Sequence, residues 1–102
     1  MKYSLLGKTD IKVSNYCLGT MTFGEQTNEK DSHLQMDKAY DAGINFFDTA
    51  EMYSTCPTRK ETAGKTEDII GTWLKKNSSL RSELVLATKI IGNEYSFIRD
   101  GG

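Results

Sequence analysis

The chain has 102 residues, 37% hydrophobic and 26% charged, with a formal net charge of −1. That length suits one small domain with one modest core, and that composition excludes a disordered chain. Near-neutral charge gives no electrostatic footing for nucleic acid or an anionic membrane, no apolar run is long enough to span a bilayer, and the opening MKYSLLGKTD lacks the apolar core of a secretory signal.

The runs KYSLL and IKVS flank GKTD, which predicts a β-hairpin. NYCLGT follows as a short strand ending at Gly19, and MTFGEQTN as a loop. Asn28 is placed to cap a helix with Asp31 in its first turn. Met36, Ala39, Tyr40 and Gly43 keep the i, i+3, i+4, i+7 spacing, and Gly43 is a natural stop. INFFD reads as a strand, and residues 54–65, which hold the only proline, as a long loop. Thr66 is expected to cap a second helix, with Glu67 and Asp68 in its first turn. Its apolar stripe is Ile69, Ile70, Trp73 and Leu74, and Lys75 and Lys76 suit its end. ELVLATK is a third strand; beyond Ile91, GNEYSFIRDGG has no clear period. The order hairpin, β, α, β, α, β implies βαβ units and a parallel sheet.

Several features carry little chemistry. Cys17 and Cys56 form no CxxC and read as free thiols of a reducing compartment, which points to the cytoplasm. His33 has no partner at metal-ligand spacing, so no metal site is expected. AGKTED ends like a phosphate-binding loop, but Arg59 stands where that pattern needs its first glycine, so a helix start is the better reading.

INFFDTAEMY is different. A strand read as buried on both faces ends in a carboxylate, which is costly to bury without a partner. With period 2, Ile44, Phe46 and Asp48 share one face, and Val85, Ala87 and Lys89 share one face of the next strand. One crossover helix lets these strands lie side by side, so Asp48 and Lys89 meet at the carboxyl edge, where α/β folds place their ligands. Tyr53 rises from the same edge. Singly, each residue has a plain structural reading: a turn cap, a solvated strand end, a packed loop aromatic. Together they form a proton-transfer group, because a nearby ammonium favours a phenolate and a carboxylate orients that ammonium.

GINFFDTAEMY and LATK resemble signature segments of the aldo-keto reductase superfamily. LGTMTFGEQ, KTEDIIGTWL and the loop after Tyr53 are most similar to its bacterial Tas-type members. The resemblance runs from about Lys2 to Ile91. It implies an α/β fold, the N-terminal part of a (β/α)8 TIM barrel, with a β-hairpin and about three βα units in one partial domain over residues 1–102. It implies NADPH-dependent reduction of small-molecule aldehydes and ketones. Tyr53 would be the general acid, Lys89 would favour its phenolate form, and Asp48 would hold Lys89. Gly19, Thr20 and Met21 would contact the cofactor, with Gln26 a further contact and Asp48 near the nicotinamide ribose.

The family's site also uses a histidine after the fourth strand, and His33 lies on the first helix. A complete barrel needs roughly 250 residues. The chain therefore reads as an N-terminal piece, inactive alone, marginally stable, and weak or inert toward NADPH. The competing expectation is a non-enzymatic module that self-associates or completes a split barrel through its open strand edge. A free-standing small α/β domain ranks last, since two helices cannot cover both faces of the sheet.

Overall fold

Three parallel strands form the centre, as the βαβ order requires, and the computed structural model describes residues 1–99. The hairpin comes first. Strand β1 (Tyr3–Leu5) pairs antiparallel with β2 (Lys12–Ser14). Strand β3 is Leu18–Gly19, helix α1 is Glu29–Asp41 and strand β4 is Phe46–Asp48. Helix α2 is Lys65–Lys76, a 3₁₀ segment covers Ser78–Glu83, and strand β5 is Val85–Ala87. The sheet order is β3-β4-β5, with Gly19 beside Asp48 and Asp48 beside Ala87.

Helix α1 starts as its sequence dictates. The Asn28 side chain accepts from the Asp31 amide at 2.8 Å. It ends in a Schellman closure: Gly43, at φ 96°, donates to the Tyr40 carbonyl, and Ile44 donates to that of Ala39. Ile44 thus still belongs to the helix closure and packs on the helix side with Phe47. This corrects its expected place on the face of Phe46 and Asp48.

The start of α2 also differs from expectation. Gly64, with φ 84°, is the N-cap, and Thr66 lies inside the helix. The Thr66 hydroxyl donates instead to the Phe23 carbonyl at 2.6 Å, as the Ser54 hydroxyl does at 2.5 Å. A fully buried threonine finds its partner across the chain, so the capping role passes to the backbone of the preceding glycine.

Both helices pack on one side of the sheet. Phe23, Met36, Phe47, Ile69, Ile70 and Trp73 form the heart of the core. Trp73 is 1% exposed, tilts against Phe47 at 5.7 Å between ring centroids, and donates its indole N–H to Asp37 at 2.8 Å. Strand alternation sends Phe46, Val85 and Ala87 to the opposite face, where they are only half-buried. The hairpin meets the amino end of this sheet. Asn45 accepts from the Ser14 amide at 2.7 Å and donates its side-chain amide to the Lys12 carbonyl at 3.0 Å. That leaves the carboxyl end open. No helix among the described residues is long and apolar enough to cross a membrane.

Candidate active site

Register brings the site together. Gly19, Asp48 and Ala87 stand side by side, and the chain continues from Ala87 to Lys89. The Lys89 ammonium donates to both Asp48 oxygens at 2.9 Å and to the Thr49 carbonyl at 2.8 Å. An ammonium has three N–H bonds, so these contacts use all of them. Tyr53 meets the charge through its ring, with Nζ 5.1 Å from the ring centroid. The Asp48 carboxylate, and after it Tyr53, hold the Lys89 amine above its ordinary 10.5 against the opposing effect of partial burial.

The expectation of a buried carboxylate needs correction. The side chains of Asp48 and Lys89 are 40% and 49% exposed. No further layer covers their face of the sheet among the described residues, so solvent reaches both. Exposed ion pairs contribute about 0–1 kcal/mol, so this pair orients groups more than it stabilises the fold.

A cavity of about 240 Å³ opens beside the pair, lined by Gly19, Thr20, Met21, Thr22, Asp48 and Tyr53. Thr20 is fully buried and donates its hydroxyl to the Asp48 carbonyl at 2.7 Å, which fixes the end of β3 against β4. Met21 is half-exposed at the rim, and its carbonyl accepts the Thr55 amide at 2.7 Å. Gln26 lies outside this cavity, where its side-chain amide donates to the Cys56 carbonyl at 2.9 Å.

A second cavity of about 240 Å³ lies on the other side of Tyr53, between Met52, Lys89 and the segment from Ile90 to Gly92. Glu51 governs this side. Its carboxylate accepts the Ile91 amide at 2.8 Å and the Arg99 guanidinium at 3.0 and 2.7 Å. Arg99, with the Ile91 amide second, holds the Glu51 carboxyl down to about 2. Neither Glu51 nor Arg99 carries a periodic signal in the sequence. Cys17 also sits near the pair: although the residue is exposed, partial desolvation of its thiol first, then the Asp48 carboxylate, push the thiol above its ordinary value, and Lys89 opposes them.

His33 stands elsewhere, between the helices. Its Nδ1 accepts from the Lys76 ammonium at 3.0 Å, so Nε2 carries the proton toward the Ile69 carbonyl at 3.1 Å. No cluster of possible metal ligands occurs among the described residues, and Cys17 and Cys56 are free and exposed.

Residues 15–101 match the model of the Aldo/keto reductase family. "Protein tas" of Escherichia coli (strain K12) is 48% identical over 92 residues, 90% of this chain and 26% of that protein. "Uncharacterized oxidoreductase YrpG" of Bacillus subtilis (strain 168) is 48% identical over 90 residues, 88% of this chain and 26% of that protein. Among solved structures, the holo form of the aldo-keto reductase AKR11C1 from Bacillus halodurans superposes with a TM-score of 0.72 at 34% identity, over 99% of this chain and 29% of its own. The chain thus spans about a quarter of the length of the curated relatives it matches. Its hairpin and three-stranded sheet are the N-terminal part of a (β/α)8 barrel, an arc and not a closed ring. With that match over most of its length, the chain belongs to the aldo/keto reductase family.

Proposed function

We propose that this chain carries the proton-transfer part of an NADPH-dependent carbonyl reductase site, within a single partial barrel domain over residues 1–102. The observation behind this reading is the Lys89 ammonium, clamped by both Asp48 oxygens and set 5.1 Å from the Tyr53 ring centroid. Tyr53 gives its phenolic proton to the carbonyl oxygen of a small aldehyde or ketone. Lys89 stabilises the phenolate left behind, and Asp48 keeps Lys89 charged and aimed. For a hydrogen bond to Tyr53, Lys89 must release one of its three present acceptors, and the second Asp48 oxygen is the cheapest to leave.

The cofactor supplies hydride to the carbonyl carbon when bound. The cavity beside Tyr53 fits one end of it. Gly19 lines that cavity, and a Cβ built there meets no atom within 4 Å. Packing therefore does not require glycine at this position, and its absent side chain keeps the cavity open for a ligand. Thr20, Met21 and Asp48 form the other walls, and Gln26 belongs to a more distant contact. A complete small-molecule site holds ~300–1,000 Å³, so these residues accommodate the nicotinamide end only. The exposed thiols of Cys17 and Cys56 suit the reducing cytoplasm.

The test is a chimera in which this chain replaces the matching N-terminal part of a full-length relative. NADPH-dependent reduction of an aromatic aldehyde is expected, with Lys89→Met and Asp48→Asn each lowering kcat. Unchanged turnover in both variants contradicts the reading.

A second reading rests on the sheet edges. The outer edges of β3 and β5 have no strand partner among the described residues. Such edges pair readily with another strand, so the chain could serve as a self-associating or split-barrel module. Sedimentation distinguishes it: a monomer at every concentration argues against this role.

A further inference from the structure

We propose that Glu51 is a positioning residue that sets where Tyr53 stands relative to Lys89, by clasping the segment after β5 to the loop that carries the tyrosine. Glu51 lies between Asp48 and Tyr53 on one loop. Its own amide donates to the Lys89 carbonyl at 3.1 Å. Its carboxylate then reaches two further points of the same segment, the Ile91 amide and the Arg99 guanidinium. One residue thus grips the Lys89 segment at three places.

The two flanks of Tyr53 are held differently. On its C-terminal side, the Tyr53 carbonyl accepts the Thr66 amide at 3.3 Å, and Ser54 is fully buried with its hydroxyl on Phe23. Those bonds tie the tyrosine to α2 and to the loop before α1, which says nothing about its distance from Lys89. On its N-terminal side, the Tyr53 amide closes a turn onto Ala50 at 3.1 Å. Ala50 is buried, so the turn leads directly back to Glu51 and its contacts. Glu51 is therefore the nearest residue whose side chain joins the Tyr53 loop to the Lys89 segment.

The geometry of the clasp favours orientation over stability. The Glu51 and Arg99 side chains are 22% and 47% exposed, a setting where an ion pair adds little to folding. A two-point guanidinium–carboxylate contact is nonetheless directional, and the Ile91 amide adds a third fixed bond. The clasp also shapes the second cavity, whose wall from Ile90 to Gly92 it holds against Met52 and Tyr53. The geometric part of this proposal stands alone; its meaning for proton transfer rests on the reading above.

The experiment is NMR on the full 102-residue chain. The Tyr53 ring, its centroid 5.1 Å from Nζ, should shift the Lys89 ε-methylene protons upfield, and Tyr53→Leu defines the unshifted value. Glu51→Ala is expected to move the Lys89 signal toward that value and to speed Ile91 amide exchange at least ~10-fold, the loss of about 1.4 kcal/mol of protection. The Trp73 indole signal should stay in place. Glu51→Gln keeps one oxygen for the Ile91 amide and should restore most of its protection, with the Lys89 shift intermediate. Arg99→Gln, on the surface, should reduce the Lys89 shift and leave Trp73 unchanged. Retention of the wild-type Lys89 shift in Glu51→Gln and Arg99→Gln overturns the proposal, whatever Glu51→Ala does. Collapse of the Trp73 signal in all three also overturns it, since the contact then serves the fold. A chimera without carbonyl reductase activity, alongside the expected Lys89 shifts, counts against the functional reading and leaves the role of Glu51 intact.

Discussion

Lys89 places all three of its N–H bonds on Asp48 and Thr49, and the Asp48 contact is the main reason its amine lies above 10.5. Asp48→Asn should bring that value back toward 10.5, read by NMR titration of the lysine ε-protons. The sign follows from linkage: a raised amine contributes stability below 10.5, and that contribution disappears as pH rises through the higher folded value. Glu51 has the opposite sign. Its carboxyl falls from 4.5 to about 2, so its contribution is present above 4.5 and is lost as pH drops toward 2. Carboxyl-carbon NMR should show Glu51 still ionised at acidities that protonate exposed glutamates, and Arg99→Gln should shrink the difference to the part the Ile91 amide maintains. The meeting of Asp48 and Lys89 was legible in the sequence because strand ends and period 2 place them at one edge, and Tyr53 follows on the loop from that edge. Glu51 and Arg99 were not, since 48 positions separate them and a single long-range ion pair leaves no periodic trace.

Helix α1 shows what local sequence controls. Asn28 caps it and Gly43 stops it, both from side-chain chemistry readable in place. Helix α2 shows the limit. Thr66 before two acidic residues looks like a cap, but Phe23 from a distant loop claims its hydroxyl. The 3₁₀ segment Ser78–Glu83 was missed for a related reason: it is polar, and only Leu80 anchors it to the core. Two substitutions test the packing at this scale. Trp73→Ala removes a fully buried ring and the indole bond to Asp37, and should cost ~3–5 kcal/mol in denaturant unfolding. Gly43→Ala should also destabilise, since φ is 96° and a Cβ there lies 3.0 Å from both Met1 Cβ and Tyr3 Oη. A neutral Gly43→Ala variant would contradict the Schellman closure.

At the scale of the whole molecule, the sheet has one covered face and one open face. The helices seal Phe47 and Leu86, while Phe46, Val85 and Ala87 remain half-buried opposite them. The isolated chain should therefore melt below the ~45–65 °C usual for mesophilic domains. On the proposed reading, in which this chain walls only the nicotinamide end, NADPH should raise its Tm little; a large ligand-induced rise would contradict that. The parallel order was readable from alternating strands and helices, whereas strand lengths of two or three residues were not, because the apolar runs extend past their paired segments. The most direct measurement is turnover of the full-length chimera with Tyr53→Phe. That change keeps the ring over Lys89 and removes only the phenolic hydroxyl, and with it the proton. The expected result is a kcat lowered by about 10²–10⁴-fold, with KM nearly unchanged. A Tyr53→Phe chimera that reduces the aldehyde at the parent rate would show that the proton comes from elsewhere.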